Sequence, residues 1–225
     1  MASKYTTWKI EDEVAIRMTE SGVGARPALT TSQAFQNTLI KYGSANVLHF
    51  KQDGVWNSYT FQTYYDKCCQ FAKSLLHVGL ERHQAVNIIG FNSPEWAIAD
   101  VGAIFAGGVA AGIYTTNNPK ACEFVAKHSE SGVVVCDGMQ QLEKFLAVQK
   151  NLPKLKALVL WNDVVPEGIQ STVPVYSFKD FIELGKDVKD ETLKVVMDSQ
   201  KAGQLLYTYL HVGYNWRPES RDDLT

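Results

Sequence analysis

From residue 85 onward the chain repeats one grammar: a short unbroken apolar run, a turn carrying a capping residue, then a helical stretch. The runs at 85–91, 109–115, 133–136, 157–161 and 173–176 show no polar–apolar alternation, so each is expected to be a strand buried on both faces. Only a sheet with helices on both sides buries strands in that way. The expected fold class is therefore α/β, with an open, mostly parallel sheet. The turns supply the helix starts. Ser93 stands as N-cap before Pro94 and Glu95, and Asn118-Pro119 opens a helix running to about Ser131. Asp137 is expected to cap the next helix, which ends near Pro153. Ser177 and Asp180 have the pattern of a capping box, and Asp190 is expected to cap a last helix through about Lys201.

Upstream lies a different pattern. Residues 31–42 are weakly amphipathic, and residues 47–50 and 55–60 flank Asp53-Gly54, the turn signal of a short N-terminal hairpin. Apolar residues then recur at three- and four-residue spacing from Phe61 to Leu76, which predicts a long helix ended by Gly79. The chain divides into an N-terminal arm (1–27), one α/β unit (28–204) and a tail (205–225).

At 225 residues and 45% hydrophobic, the chain has enough apolar mass to close a core without staples. Its formal net charge of -2 offers no electrostatic footprint for nucleic acid or an anionic membrane. Cys68, Cys69, Cys122 and Cys136 include no CxxC pair, so they read as reduced, buried thiols of a cytoplasmic protein rather than as a disulfide framework or zinc site. Residues 1–10 contain no apolar core of a secretory signal. Residues 96–114 approach bilayer-spanning length, but Asp100 and Gly107-Gly108 interrupt them. A buried helix followed by a buried strand is expected there, and no transmembrane segment.

Nucleotide-binding devices are absent from the text of the sequence: it has no GxGxxG after the first strand and no GxxxxGK[ST]. Gly102, Gly107, Gly108 and Gly112 read as close-packing positions. The five histidines show neither HxxxH nor HExxH spacing, and Ser93 lacks the GxSxG context of a nucleophile. The residues by themselves name no catalytic, cofactor-binding or metal-ligating group.

Ordered words carry more. Tyr59-Thr60-Phe61 at the head of the long helix, VNIIGFNSPEW (86–96) and AGGVAAGIYTTNNP (106–119) resemble the adenylate-forming (AMP-binding) superfamily. The NSPEW and GIYTTN wording, with the segment 8–17, is similar to long-chain fatty-acid–CoA ligases of the bubblegum type, and the likeness spans about residues 8–204. The resemblance implies the first subdomain of the adenylate-forming fold. It also implies a family reaction in which a long-chain fatty acid, ATP and CoA give acyl-CoA, AMP and pyrophosphate through an acyl adenylate, with Mg serving the intact enzymes. It places Tyr114, Thr115, Thr116 and Asn117 beside the acyl site, with sheet packing as the alternative role for these four.

In that family the words after Gln200-Lys201-Ala202 lead into a phosphate loop of the form YTSGTTGxPKG, whose hydroxyls and N–H groups surround phosphate. Here Tyr207 to Trp216 read differently. One allowed set of codons for 205–225, read from the second base, spells CCTLIYTSGTTGDPKAVMIS, which is that loop in the neighbouring frame. The tail is accordingly expected to be frameshifted and the chain truncated, inactive alone and binding no cofactor. The non-enzymatic alternative is an interaction module that self-associates or meets chaperones through an exposed subdomain face. The expected setting is cytoplasmic, with peripheral contact to endoplasmic reticulum or other membranes left open.

Overall fold

The computed structural model describes residues 4–7 and 9–209. Trp8 and most of the 205–225 tail, from residue 210 onward, lie outside them.

Local chemistry starts most of the elements. Helix α1 (Thr31–Tyr42) opens on a reciprocal capping box in which Thr30 Oγ1 accepts from Gln33 N at 3.3 Å and Gln33 Oε1 accepts from Thr30 N at 2.9 Å. Strands β1 (Asn46–Gln52) and β2 (Val55–Thr60) pair antiparallel around Asp53 (φ 51) and Gly54 (φ 82), two left-handed residues as a tight hairpin turn requires. Thr60 caps α2 (Phe61–His77) by accepting from Thr63 N at 3.1 Å.

The repeat then unfolds as β3 (Ala85–Ile89), α3 (Pro94–Phe105), β4 (Val109–Ile113), α4 (Pro119–His128), β5 (Val133–Asp137), α5 (Met139–Val148), β6 (Ala157–Trp161), β7 (Val175–Ser177), α6 (Phe178–Leu184), α7 (Asp190–Asp198) and β8 (Tyr207–Tyr209). Ser93 accepts from Trp96 N at 3.1 Å and Asn118 from Ala121 N at 2.9 Å, as their spacing predicts. The apolar stretch after Trp96 resolves into α3 and β4. Among the described residues no helix is long and apolar enough to cross a membrane.

Three helix starts differ from expectation. Asp137 does not cap α5; Gly138 (φ 76) holds the N-cap position without a side-chain bond, and Asp163 Oδ2 reaches Met139 N at 3.3 Å. Asp190 is the first residue of α7 rather than its cap, and pairs with Lys73 on α2 at 2.9 Å. At α6, Ser177 Oγ accepts from Asp180 N at 3.1 Å, but the Asp180 carboxylate accepts a hydrogen bond from the Ser177 hydroxyl rather than from the Ser177 backbone N–H.

All six strands of the main sheet run parallel in the order β7-β6-β5-β3-β4-β8. β3, β4 and β6 are buried throughout. One face packs Val86, Ile88, Val133 and Val159 against Phe71, Ile98, Phe105 and Phe181 of α2, α3 and α6. The other sets Ile89, Val134, Cys136 and Leu158 against Cys122 and Val125 of α4 and Leu142 and Phe145 of α5. Burying side chains of this size contributes roughly 1.5–3 kcal/mol each. Within the first face Phe71 lies 5.4 Å from Phe178 and 5.1 Å from Phe181, centroid to centroid.

The arm crosses the amino end of the sheet. Val14 N donates to Gly203 O at 3.0 Å, Ile10 O lies 2.9 Å from His83 Nδ1, and Glu13 pairs with Lys201 at 3.0 Å. A cavity of about 1120 Å³ lies between arm and sheet end, lined by residues such as Asp12, Arg82, His128 and Lys154.

Candidate functional site

In an open parallel sheet, ligands sit beyond the carboxyl ends of the strands, where the chain reverses its direction of winding. Here that point falls between β3 and β5: the chain steps from β3 outward to β4, then returns across β3 to start β5. The crevice is filled. Asp137, the last residue of β5, accepts from Phe91 N at 3.1 Å and from Asn162 Nδ2 at 2.9 Å, tying together the loops after β3 and β6. The Trp161 ring, 3% exposed, lies across Gly90. A Cβ on Gly90 would stand 2.4 Å from both Asp137 Cβ and Trp161 Cζ2, so no ligand group has room there.

The residues singled out in the sequence lie one strand over, beyond β4. Tyr114, Thr115, Thr116 and Asn117 form the loop between β4 and α4, and the Asn117 N–H closes it by donating to Tyr114 O at 3.1 Å. Tyr114 is 48% exposed and Thr116 is exposed, while Thr115 and Asn117 are half-buried. β4 ends at Ile113, so Tyr114 is the first residue of the loop that follows. Two contacts fix the loop from below: Lys144 Nζ donates to Thr115 O at 2.7 Å, and Cys122 Sγ lies 3.8 Å from Asn117 O.

Beside this loop the edge strand β8 carries Tyr207, whose hydroxyl lies 2.6 Å from where a Cβ on Gly112 would be. Burial raises the Tyr207 phenol above its usual pKa, and the charge of Asp100 adds to the rise. Asp100, on α3, is half-buried; burial alone pushes its carboxyl up to about 6, and its Oδ1 has no hydrogen-bond partner. In the sequence this residue marks only an interruption in an apolar stretch. The structure places it within electrostatic reach of Tyr207 on β8.

Nucleophilic and metal chemistry find less support. All four cysteines are free, and burial holds their thiols above the usual range, Cys69 and Cys122 at about 11. Such thiols stay protonated and unreactive at neutral pH. Among the described residues no group of three His, Cys, Asp or Glu side chains could hold a metal ion. Lys144 is the contact that sequence reasoning passed over. It stands 29 residues from Thr115, and nothing in the helical pattern around it marks it.

Comparison with known proteins agrees with this geometry. Residues 35–207 match the family described as AMP-binding enzyme. Long-chain-fatty-acid–CoA ligase ACSBG2 of Xenopus laevis is 43% identical over 208 residues, 91% of this chain and 28% of that protein. ACSBG1 of Rattus norvegicus is 36% identical over 228 residues, all of this chain and 31% of that protein. The chain thus spans about three tenths of the length of these relatives. Among solved structures, the anthranilate CoA ligase AuaEII with anthranoyl-AMP superposes with a TM-score of 0.58 at 23% identity, covering 66% of this chain and 27% of that one. Coronafacic acid ligase of Pectobacterium brasiliense gives a TM-score of 0.65 at 11% identity, covering 80% of this chain and 33% of that one. At such identities these two establish a shared fold.

Proposed function

This chain belongs to the AMP-binding enzyme family, and on that premise we propose that it is the leading α/β part of a long-chain fatty-acid–CoA ligase. The carrying observation is the 36–43% identity to such ligases over nearly the whole chain. The family match, residues 35–207, includes the β4–α4 loop. In this reading Tyr114, Thr115, Thr116 and Asn117 line the fatty-acid side of the site. The reaction joins the fatty carboxylate to ATP, releases pyrophosphate and transfers the acyl group to the CoA thiol. No step is assigned to Mg²⁺ on these residues.

The chemistry of adenylation rests on preorganised N–H and hydroxyl donors around the phosphates. The sequence holds no YTSGTTGxPKG loop; its residues 207–216 stand where that loop is expected. The 225-residue chain by itself is therefore inert in our reading. Purified chain should give no fatty-acid-dependent exchange between pyrophosphate and ATP, and exchange above a heat-killed control would overturn this. Sequencing the transcript across the codons for Ala202 to Tyr209 tests the frameshift: a restored frame should spell the loop. The four free thiols support a cytoplasmic setting.

One observation favours a second reading, a non-catalytic interaction module. β8 is the last strand of the sheet, with no described strand on its outer side, and Leu205 and Tyr207 beside it are 45% and 41% exposed. Such an edge is a template for further pairing. Size-exclusion chromatography decides: dimers favour this reading, and a clean monomer sinks it.

A further inference from the structure

Lys144 presents unassigned chemistry at the open end of the sheet. It projects from α5 and is half-buried, and its ammonium donates to Thr115 O at 2.7 Å and to Gln141 Oε1 at 2.8 Å. Both acceptors are neutral. None of the ion pairs among the described residues includes it. Its charge is felt at the buried Cys122 and Cys136 thiols, where it opposes the effect of burial. A lysine on a flexible four-carbon stem normally carries its charge out to water. Holding it partly desolvated without a counter-ion is unfavourable unless fixed dipoles converge on it. The carbonyl of Thr115 is one such dipole, and it belongs to the loop that flanks the candidate site.

The partners reach Thr115 from a helix far along the chain, so the bond ties two separate elements. Bonds within the loop and from α4 close the turn locally: Asn117 N to Tyr114 O, and the Asn118 side chain to Ala121 N. The reach of Lys144 across from α5 sets where that turn sits relative to the second helix on its face. A charge-assisted bond of this kind is roughly twice as strong as a neutral one.

We propose that Lys144 is a positioning residue for acyl binding: it pins the 114–117 loop to α5 and so fixes the wall that Tyr114 and Thr116 present to a fatty acid. This rests on the ligase reading above. The test uses the full 225-residue chain with Lys144→Met and Lys144→Arg, and cis-parinaric acid as a fluorescent long-chain fatty-acid probe. Lys144→Met should weaken probe binding on the order of tenfold, as for one lost charge-assisted hydrogen bond. Amide exchange at residues 115–118 should rise by a similar factor, with the global unfolding midpoint little changed. Lys144→Arg keeps a donor and should restore much of both. Equal probe affinity in wild type and Lys144→Met, or exchange at 115–118 that does not respond, overturns the proposal. If the unsubstituted chain binds no probe, the acyl-wall reading fails, and with it the acyl-binding role of Lys144. The exchange data would then report a loop clamp and nothing more.

Discussion

The loops after β3, β5 and β6 and the loop after β4 lie side by side at the carboxyl end of one sheet, yet they are built on opposite terms. Around Gly90 the ends of three strands are drawn together by the Asp137 carboxylate and roofed by the Trp161 ring. Around Gly112 the neighbouring group is the far end of one edge-strand tyrosine, with the exposed Tyr114 beyond. Three side-chain atoms stand within 2.6 Å of a Cβ on Gly90, and only one stands that close to a Cβ on Gly112. How crowded each strand end is depends on a few residues, and the topology alone does not set it.

That contrast can be broken most severely at Gly90. Alanine there would force its Cβ to 2.4 Å from Asp137 Cβ and Trp161 Cζ2, the latter on a ring only 3% exposed. Gly90→Ala should cost about 3 kcal/mol, the upper part of the range for overpacking, and show as a lowered urea midpoint. A variant of wild-type stability would mean that the crevice can open.

A moderate effect of opposite sign is expected at Asp100. Its carboxyl rises from 3.8 to about 6 on folding, so the folded chain holds this proton more tightly than the unfolded one. The stability it allows is complete below pH about 4 and lost as pH rises through about 6. Asp100→Asn should therefore stabilise the chain by roughly 1–3 kcal/mol at pH 8 and by little at pH 3.5. Thermal melts at the two pH values check it, and a gain independent of pH would contradict the assignment.

The smallest change is expected at Gly112. An added methyl would crowd the Tyr207 hydroxyl, at 2.6 Å, the far end of a side chain 41% exposed, while Trp96 Cζ2 stands at an ordinary 3.9 Å. Gly112→Ala should stay within about 1 kcal/mol of wild type, measured beside Gly90→Ala in the same denaturant series. Equal costs at the two glycines would erase the distinction between a closed crevice and an open edge.

What could be read from the sequence was local. Ser93 and Asn118 act within three residues of themselves, and Asp53-Gly54 turns on its own backbone, so spacing was enough to place them. Unbroken apolar runs likewise announced the buried strands β3, β4 and β6, whereas the run at 173–176 became the half-buried edge strand β7. Asp137 was misread because its carboxylate serves partners 46 and 25 residues away, at Phe91 and Asn162, in preference to the helix that follows it. β8 showed no periodicity; three residues become a strand only because β4 offers a parallel edge. The resemblance to adenylate-forming enzymes supplied the role given to Tyr114–Asn117, which periodicity could not, while the bond that holds the loop became visible only in three dimensions.

The place of β8 in the sheet has a consequence during synthesis. Chains leave the ribosome amino end first and begin folding as they emerge. β3 to β7, with the helices that cover both faces, are complete in the sequence before Tyr207 is translated, and β8 joins only the outer edge of β4. Among the described residues the buried apolar core draws on none after Gln204. Whatever the message encodes from that codon on lies outside that core. Cellular surveillance that looks for exposed apolar chain would meet a sheet with one unfinished edge, and a changed reading frame at this point could pass as a finished protein.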